Sequence, residues 1–543
     1  MRSIRASFSP NHFALLLTAG CVGLGVFLRL HPVGTALLFG DEFHSLRRLS
    51  DTYGMMLSSY EATGAGIALP LLIRLSTDLF GTSLWAIRAS AFLPGVLAVF
   101  LCYPVARRMI GRAPAAGATM LLAGNSFHIF YSHFARAYAL AILLVLLLLA
   151  AVARALDERQ PPTRWTWPWI GILVGLLPWV HLATLGVTAP ILLCLLGSLF
   201  VRGDRDRLRR GLLASAAGVA LCILLYLPAL PELVNFVERK TVQESYYGSF
   251  EVLDVVALLG GSWAGGWALL LGAIGGGLVM LRERHSAAWP LIACCLGPGL
   301  ALLLLRPYGD AYAYSRYLAP AIPAWCILTA NLAAAPWRAR RHGAFLAETG
   351  PLLSAFALTA GLFLAGPLGL SRVDAGPYTN SYLSLFQLSK FSVARTPVPD
   401  FYRELADMRP DTAIVELPTL SNRSVHLYRG YYLLHGKRTM LSAVDSHGPY
   451  LPRDLYVPIR RQELLDAGVD FVVAHVDPLT EIDSYWAQVY GSPAKGFGRA
   501  YMERHERFGR RAIKPPSIIQ LRKALGAPRY EDGTLIVWEI RSE

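Results

Sequence analysis

Charge is scarce in this sequence. Of 543 residues only 16% are charged, against 54% that are hydrophobic. A soluble chain of several domains would carry about 25% charged residues, so a bilayer is the expected solvent. Cysteine is scarce too, and its placement is restrictive. All seven (Cys21, Cys102, Cys194, Cys222, Cys294, Cys295 and Cys326) fall in apolar stretches, where they read as small packing residues. The chain after Leu370 has none, so that part must be held by its own core without a disulfide. No Cys-x-x-Cys pair or Cys/His cluster suggests a metal. No P-loop or dinucleotide fingerprint suggests a nucleotide, and no internal repeat or low-complexity segment is visible.

What is present is a series of apolar stretches of about 20 residues, each long enough to cross a bilayer as a helix. They cover residues 12 to 30, 84 to 106, 113 to 131, 137 to 156, 167 to 182, 184 to 201, 211 to 230, 262 to 281, 287 to 305, 317 to 335 and 351 to 370. The expected architecture is therefore a polytopic α-helical membrane protein with about 11 transmembrane helices. The first stretch ends in Leu28-Arg29-Leu30-His31 without a small-residue cleavage pattern, so it reads as a retained helix. Residues 165 to 201 form one long apolar stretch that must be split around Pro178 and His181. Without that split, everything downstream would be inverted.

The net charge of +14 does not point to nucleic acid, because the arginines sit in alternate connections. They occur at Arg2 and Arg5, at Arg107, Arg108 and Arg112, at Arg154, Arg159 and Arg164, between Arg202 and Arg210, at Arg282 and Arg284, and between Arg338 and Arg341. By the positive-inside rule the N-terminus is expected in the cytoplasm. An odd number of spans then leaves the part after about Leu370 outside. Arginine greatly outnumbers lysine, a compositional mark of a GC-rich bacterial genome, and the expected location is a bacterial cytoplasmic (inner) membrane.

Two domains follow: a membrane domain over 1–370 and an extracytoplasmic, periplasmic α/β domain over 371–543. The first outer loop, 31–83, is far longer than an ordinary helix connection. In it Leu46, Leu49, Tyr53 and Met56 or Leu57 recur at helical spacing, as do Ala68, Leu71, Leu72, Leu75 and Leu79. Two helices lying in the membrane interface are expected there. After Leu370, β-branched runs at Thr412–Leu417, Phe471–Ala474 and Leu535–Ile540 alternate with helical stretches near Phe401–Met408, Asp454–Ala467 and Ile518–Leu525. Asp532-Gly533 is a hairpin signal.

Three outer connections carry groups capable of chemistry. Asp41 and Glu42 are adjacent carboxylates just after the first span. A carboxylate there can act as a general base, but Asp41 can equally cap the helix that follows while Glu42 favours its positive end. The segment from Asn125 to Tyr138 interrupts two apolar stretches with His128, Tyr131, His133, Arg136 and Tyr138. A guanidinium at this depth can hold a lipid phosphate by two hydrogen bonds, or simply snorkel beside belt aromatics. His128 and His133 are proton carriers or plain hydrogen-bonding groups. A third connection offers Arg306, Arg316 and Tyr317. Ionisable groups at the membrane edge are costly, so three such sets on one face suggest a site. His181, Glu232, Arg239, Lys240 and Glu244 also fall on outer connections, with no specific role.

The arrangement resembles the GT-C glycosyltransferases that use polyprenyl-phosphate sugars, among them glycosyltransferase family 39, the bacterial relatives of protein O-mannosyltransferase and the aminoarabinose transferases. The resemblance covers residues 12 to about 335. It rests on Asp41-Glu42, on Phe80-Gly81 followed by Trp85-Ala-Ile-Arg88, on Ala106-Arg-Arg-Met-Ile-Gly111, on Ser126-Phe-His-Ile-Phe-Tyr-Ser-His-Phe-Ala-Arg136-Ala-Tyr138 and on Arg316-Tyr-Leu-Ala-Pro320. Many relatives carry a His-Pro-Pro type sequence ahead of the second interfacial helix, where this chain has Thr63-Gly-Ala-Gly-Ile67. The segments 402–418 and 465–475 resemble the soluble domain of some such enzymes.

The resemblance implies attack of an acceptor hydroxyl on the anomeric carbon of a lipid-linked sugar at the outer face, with inversion. It makes Asp41, beside Glu42, the catalytic carboxylate, and Arg136, Tyr138, Arg316 and Tyr317 the binders of the donor phosphate. His128, Tyr131, His133 and Arg306 become candidate substrate contacts. The implied partners are a polyprenyl-phosphate sugar, a glycan, lipid or protein acceptor, and membrane lipids. No cofactor is required and a divalent cation is not indicated. Competing functions are a multi-pass lipid or sugar transporter or flippase, and a membrane-anchored envelope assembly protein. Paired repeats and mid-membrane breaks, expected of a transporter, are not seen in the sequence.

Overall fold

The computed structural model describes residues 10–31, 33–34, 42, 45, 49, 52–60, 66–81, 83–242, 252–305, 311–339, 344–367, 399–417, 431, 435–439, 461–476 and 515–541. Two compact units are found, one of residues 1–33, 57–69 and 88–386, the other of residues 34–56, 70–87 and 387–543. In chain order the helices begin with α1 (Pro10–Leu30), α2 (Tyr53–Leu57), α3 (Ala68–Phe80), α4 (Leu84–Ile110), α5 (Arg112–Gly124), α6 (Ser126–Tyr131) and α7 (Tyr138–Leu156). Next come α8 (Thr166–Val180), α9 (Leu185–Val201), α10 (Arg205–Tyr226), α11 (Leu230–Val242), α12 (Val252–Gly260) and α13 (Trp263–Arg282). The first unit closes with α14 (Ala288–Leu305), α15 (Ala311–Leu318), α16 (Ile322–Ala339) and α17 (Ala344–Ala365).

Among the described residues, seven helical stretches are long and apolar enough to cross a membrane: Leu84–Ile110, Tyr138–Leu156, Leu182–Val201, Arg205–Glu238, Trp263–Arg282, Ala288–Leu305 and Tyr314–Arg338. Three shorter apolar helices, Leu15–Leu30, Thr166–Val180 and Thr349–Ala365, accompany them. Leu193, Phe200, Leu224 and Leu303 each expose more than 60% of their surface, which water would penalise and lipid does not.

The expected span over residues 113 to 131 is not one helix. Gly111 turns the chain with φ 84, a conformation that suits glycine, and α5 then runs only to Gly124. Its 13 residues rise roughly 20 Å, short of the roughly 30 Å of hydrocarbon. Asn125 is extended and ends it, while its side chain accepts a hydrogen bond from the His128 N–H at 2.8 Å and starts α6. From Pro114 to Gly124 every residue of α5 is buried, so protein surrounds the helix on all sides, and the described residues do not fix the number of spans at eleven. The long stretch 165–201 does divide, at His181, where extended backbone separates α8 from a short 3-10 turn and α9.

Close packing in this unit relies on small residues. Gly272 and Gly276 on α13 face α16, where an added methyl would meet Thr329 and the Leu328 carbonyl oxygen respectively. Helices α8 and α10 meet in the same way through Gly171, Gly175 and Gly218. Helices α11 and α12 are additional to the sequence expectation.

In the second unit the expected amphipathic segments of the first outer loop are seen in part. The second is helix α3, whose Arg74 Nε donates to both carboxylate oxygens of Asp78 at 2.8 and 2.9 Å. The Tyr53 hydroxyl of α2 donates to the same carboxylate at 2.8 Å, and Arg74 also reaches the Leu49 carbonyl. Leu75, Leu79 and Phe80 remain exposed on α3, as an interfacial helix requires. Leu46 lies outside the described residues.

The C-terminal part of this unit is an α/β domain with helices α18 (Asp400–Asp407), α19 (Arg461–Asp466) and α20 (Pro515–Leu525). Its strands are β1 (Ala413–Leu417), β2 (Arg438–Thr439), β3 (Phe471–His475), β4 (Tyr530–Glu531) and β5 (Leu535–Glu539), in the order β2-β1-β3-β5-β4. Strands β1, β2 and β3 are parallel, and β5 is antiparallel to β3 and β4. The Asp532-Gly533 turn closes the last hairpin, with Asp532 Oδ1 accepting from the N–H groups of Thr534 and Leu535 at 2.6 Å. Val415, Leu417, Leu464, Val472, Leu521 and Trp538 form the core. A buried polar triangle sits among these parallel strands: Tyr402 Oη donates to Glu416 Oε1 at 2.6 Å and lies 3.1 Å from His475 Nε2.

Candidate active site

The turn from Asn125 to Tyr138 is buried throughout, and Arg29 of α1 is its anchor. One Nη of Arg29 donates to the Gly25 and Ala123 carbonyls at 2.7 and 2.9 Å, the other to the Leu122 carbonyl at 2.9 Å. The guanidinium thus caps the C-terminal carbonyls of α5, where a positive charge is favoured. It also lies 2.7 Å from His128 Nδ1. A guanidinium only donates, so Nδ1 accepts, and His128 is a neutral ring with its proton on Nε2.

Tyr131 is fully buried in an aromatic cluster with Phe127 and Phe130 and contacts Tyr138 with ring centroids 4.7 Å apart. His133 follows on the turn, edge-on to Phe130 and 1% exposed, with neither ring nitrogen hydrogen-bonded. Burial, with Arg88 and then Arg29 adding to it, pushes this imidazole down to about 3. Its folded value therefore lies below the unfolded value near 6.5. Below pH 6.5 the unfolded chain takes up a proton that the folded chain refuses, so the contribution to stability is whole above that pH and falls as acid is added. Between pH 7 and 5 the loss expected from His133 is about 2 kcal/mol. A His133→Gln variant should lose less melting temperature than the wild type over that interval; equal losses would remove His133 as the cause.

Arg136 and Tyr138 close the turn, and both are buried. The Tyr138 ring lies 4.9 Å from His181, and His181 lies 6.1 Å from Tyr317 at the end of α15. Burial first, then the guanidiniums of Arg136 and Arg316, pushes His181 down to about 3. Both arginines therefore act electrostatically on one neutral ring. Its Nδ1 accepts from the Ala183 N–H at 3.3 Å, which leaves the proton on Nε2 as a donor. Three segments far apart in sequence, at residues 136–138, 181 and 316–317, thus present two cations, a neutral N–H donor and two tyrosines in one place.

The other expected site residues are distributed differently. Glu42 is described and fully buried, and belongs to the second unit. Asp41 and Arg306 lie outside the described residues. His181 carried no role in the sequence reading, and Arg29 was read only as the end of the first apolar stretch. An arginine inside such a stretch is itself a signal, because it is expensive to keep there without a task. Among the described residues no group of three or more His, Cys, Asp or Glu is arranged to hold a metal.

Residues 65–231 match the family model described as dolichyl-phosphate-mannose-protein mannosyltransferase. No curated protein matches the chain. Among solved structures, ArnT from Cupriavidus metallidurans in the apo state is similar with a TM-score of 0.59 at 14% identity, over 98% of this chain and 99% of that one. ArnT bound to undecaprenyl phosphate gives 0.60 at 14% identity, over 97% and 98%. The apo oligosaccharyltransferase of Archaeoglobus fulgidus gives 0.52 at 13% identity, over 89% of this chain and 72% of that chain. The chain is therefore a polytopic membrane protein with the GT-C fold and a C-terminal sheet domain, similar over residues 65–231 to the dolichyl-phosphate-mannose-protein mannosyltransferases.

Proposed function

We propose that the chain transfers a sugar from a polyprenyl-phosphate donor to an acceptor hydroxyl at the outer face of a bacterial cytoplasmic membrane. The observation that carries this reading is the seating of His181 between the rings of Tyr138 and Tyr317, at the end of the buried turn that holds Arg136 and beside the helix that carries Arg316. Two guanidiniums and a neutral N–H suit the oxygens of a phosphate, and the developing charge on a leaving phosphate is what such donors stabilise. The GT-C fold, and the undecaprenyl phosphate bound to ArnT, support a lipid phosphate as that group.

In this mechanism Asp41 accepts the proton of the acceptor hydroxyl as its oxygen bonds to the anomeric carbon. The bond from that carbon to the phosphate oxygen breaks on the opposite face, and its electron pair remains on the lipid phosphate held by Arg136, Arg316 and His181. The sugar is inverted, and the products are the glycosylated acceptor and polyprenyl phosphate. Glu42, the neighbouring carboxyl, belongs to the same proposed catalytic pair. Neither a nucleotide nor a redox group takes part in these steps.

The test is reconstitution of the purified chain in vesicles with a panel of synthetic polyprenyl-phosphate sugars. Phosphorus NMR should show release of polyprenyl monophosphate, and the one-bond carbon–proton coupling at the anomeric centre should show inversion in the product. Donor lipid that crosses the bilayer intact, with no phosphate released, would instead make the protein a transporter.

A further inference from the structure

At the arginine-rich end of the first unit, α8 and α10 run side by side in the same direction. Trp167 of α8 packs on Gly211 of α10, and further along Gly171 meets Ala214 and Gly175 meets Leu221. Beside this contact lies an apolar groove with an accessible volume of about 500 Å³. Its walls are Trp167, Pro168 and Ile172 from α8, and Leu213, Ala217 and Leu221 from α10. Arg210 closes one end.

Three observations describe what fits there. From Arg210 to Leu221 the wall of α10 rises roughly 16 Å, about half of a hydrocarbon core of roughly 30 Å, which is the depth of one leaflet. Trp167 is 7% exposed, and its indole N–H has no hydrogen-bond partner, so a buried donor on the groove wall lacks an acceptor. The charge at the mouth is positive. Arg210 is 57% exposed and, among the described residues, pairs with exposed Asp206 at 3.0 Å, a contact that a stronger anion can displace. Arg164, two residues before α8, lies over Trp165 at 5.3 Å and adds a second cation at the same end.

We infer that this groove is a binding site for one anionic glycerophospholipid of the leaflet at the arginine-rich end. One acyl chain lies along Ile172, Leu213, Ala217 and Leu221. The phosphate meets Arg210, and an ester or phosphate oxygen accepts from the Trp167 indole. The match in length selects a lipid that stays within one leaflet. A cationic mouth selects an acidic headgroup over a zwitterionic one. The site is separate from the Arg136–His181–Arg316 constellation and does not depend on the proposed transfer reaction.

Native mass spectrometry of the full chain, released from micelles containing equal phosphatidylglycerol and phosphatidylcholine, tests this. The wild type should retain one phosphatidylglycerol. Arg210→Glu should lower that occupancy about tenfold, as loss of a charge-assisted contact does. Ala217→Trp, which fills the groove from an exposed position, should abolish it, whereas Leu224→Trp, lipid-facing but outside the groove, should leave it unchanged. A Trp167→Phe variant, lacking only the N–H, should lower it less than Arg210→Glu. Equal retention of phosphatidylcholine would overturn the inference, as would unchanged occupancy in Arg210→Glu and Ala217→Trp or an equal loss in Leu224→Trp. Preferential retention of added undecaprenyl phosphate would also overturn it, by identifying the groove as a donor-lipid site.

Discussion

Asp41→Asn is expected to lower sugar transfer in vesicles by about a hundredfold to ten-thousandfold, the range associated with a positioned general base. The amide keeps the size and hydrogen-bonding reach of the carboxylate but cannot take the acceptor proton. Since Asp41 lies between the first two apolar stretches of the sequence, the variant should insert as the wild type does. Donor binding should be nearly unchanged, because the proposed mechanism assigns the phosphate to other residues, so the loss should fall on kcat. Near-normal turnover in a correctly inserted variant would remove Asp41 as the base.

Arg136→Ala and Arg316→Ala are each expected to cost about a hundredfold to a thousandfold, as removal of one donor to a developing oxyanion does. If both guanidiniums serve the same phosphate, the double variant should lose less than the product of the single losses, because the second removal acts on a site already disabled. Arg136→Lys should recover only part of the activity, since an ammonium keeps the charge but not the planar pair of donors. The measurement is the dependence of initial rate on donor concentration in the four variants. Wild-type donor dependence and turnover in Arg136→Ala would separate this residue from the phosphate.

The helical crossings were readable in the sequence because they answer to a one-dimensional requirement: enough apolar residues in a row to span hydrocarbon. Helices α7, α9, α13 and α14 begin and end within a residue or two of the apolar stretches that announced them. The same holds for β1, β3 and β5 in the C-terminal domain, whose β-branched runs are flanked by polar turns. Strand β2 was missed because Arg438–Thr439 is too short to establish an alternation, and it is recognised only by its pairing with β1. Residues 113 to 131 form two helices and not one for a related reason. Ala-rich sequence has the hydropathy of a span, but the polar run from Asn125 allows the chain to cap, turn and start again.

Local sequence by itself determined which segments are apolar enough for a bilayer, where the chain becomes an α/β domain, and which connections carry arginines, histidines and carboxylates. Only the tertiary structure decided which of those groups meet. His181, alone on its connection, acquires meaning when Tyr138 and Tyr317 flank it and two distant guanidiniums act on it. Arg29, an anomaly in an apolar stretch, becomes the cap of α5 and the partner of His128. The physical reason is that hydropathy is a sum over neighbours along the chain, whereas burial and electrostatic potential are sums over neighbours in space. A histidine is neutral or charged, and an arginine a snorkelling group or a phosphate ligand, according to the second sum.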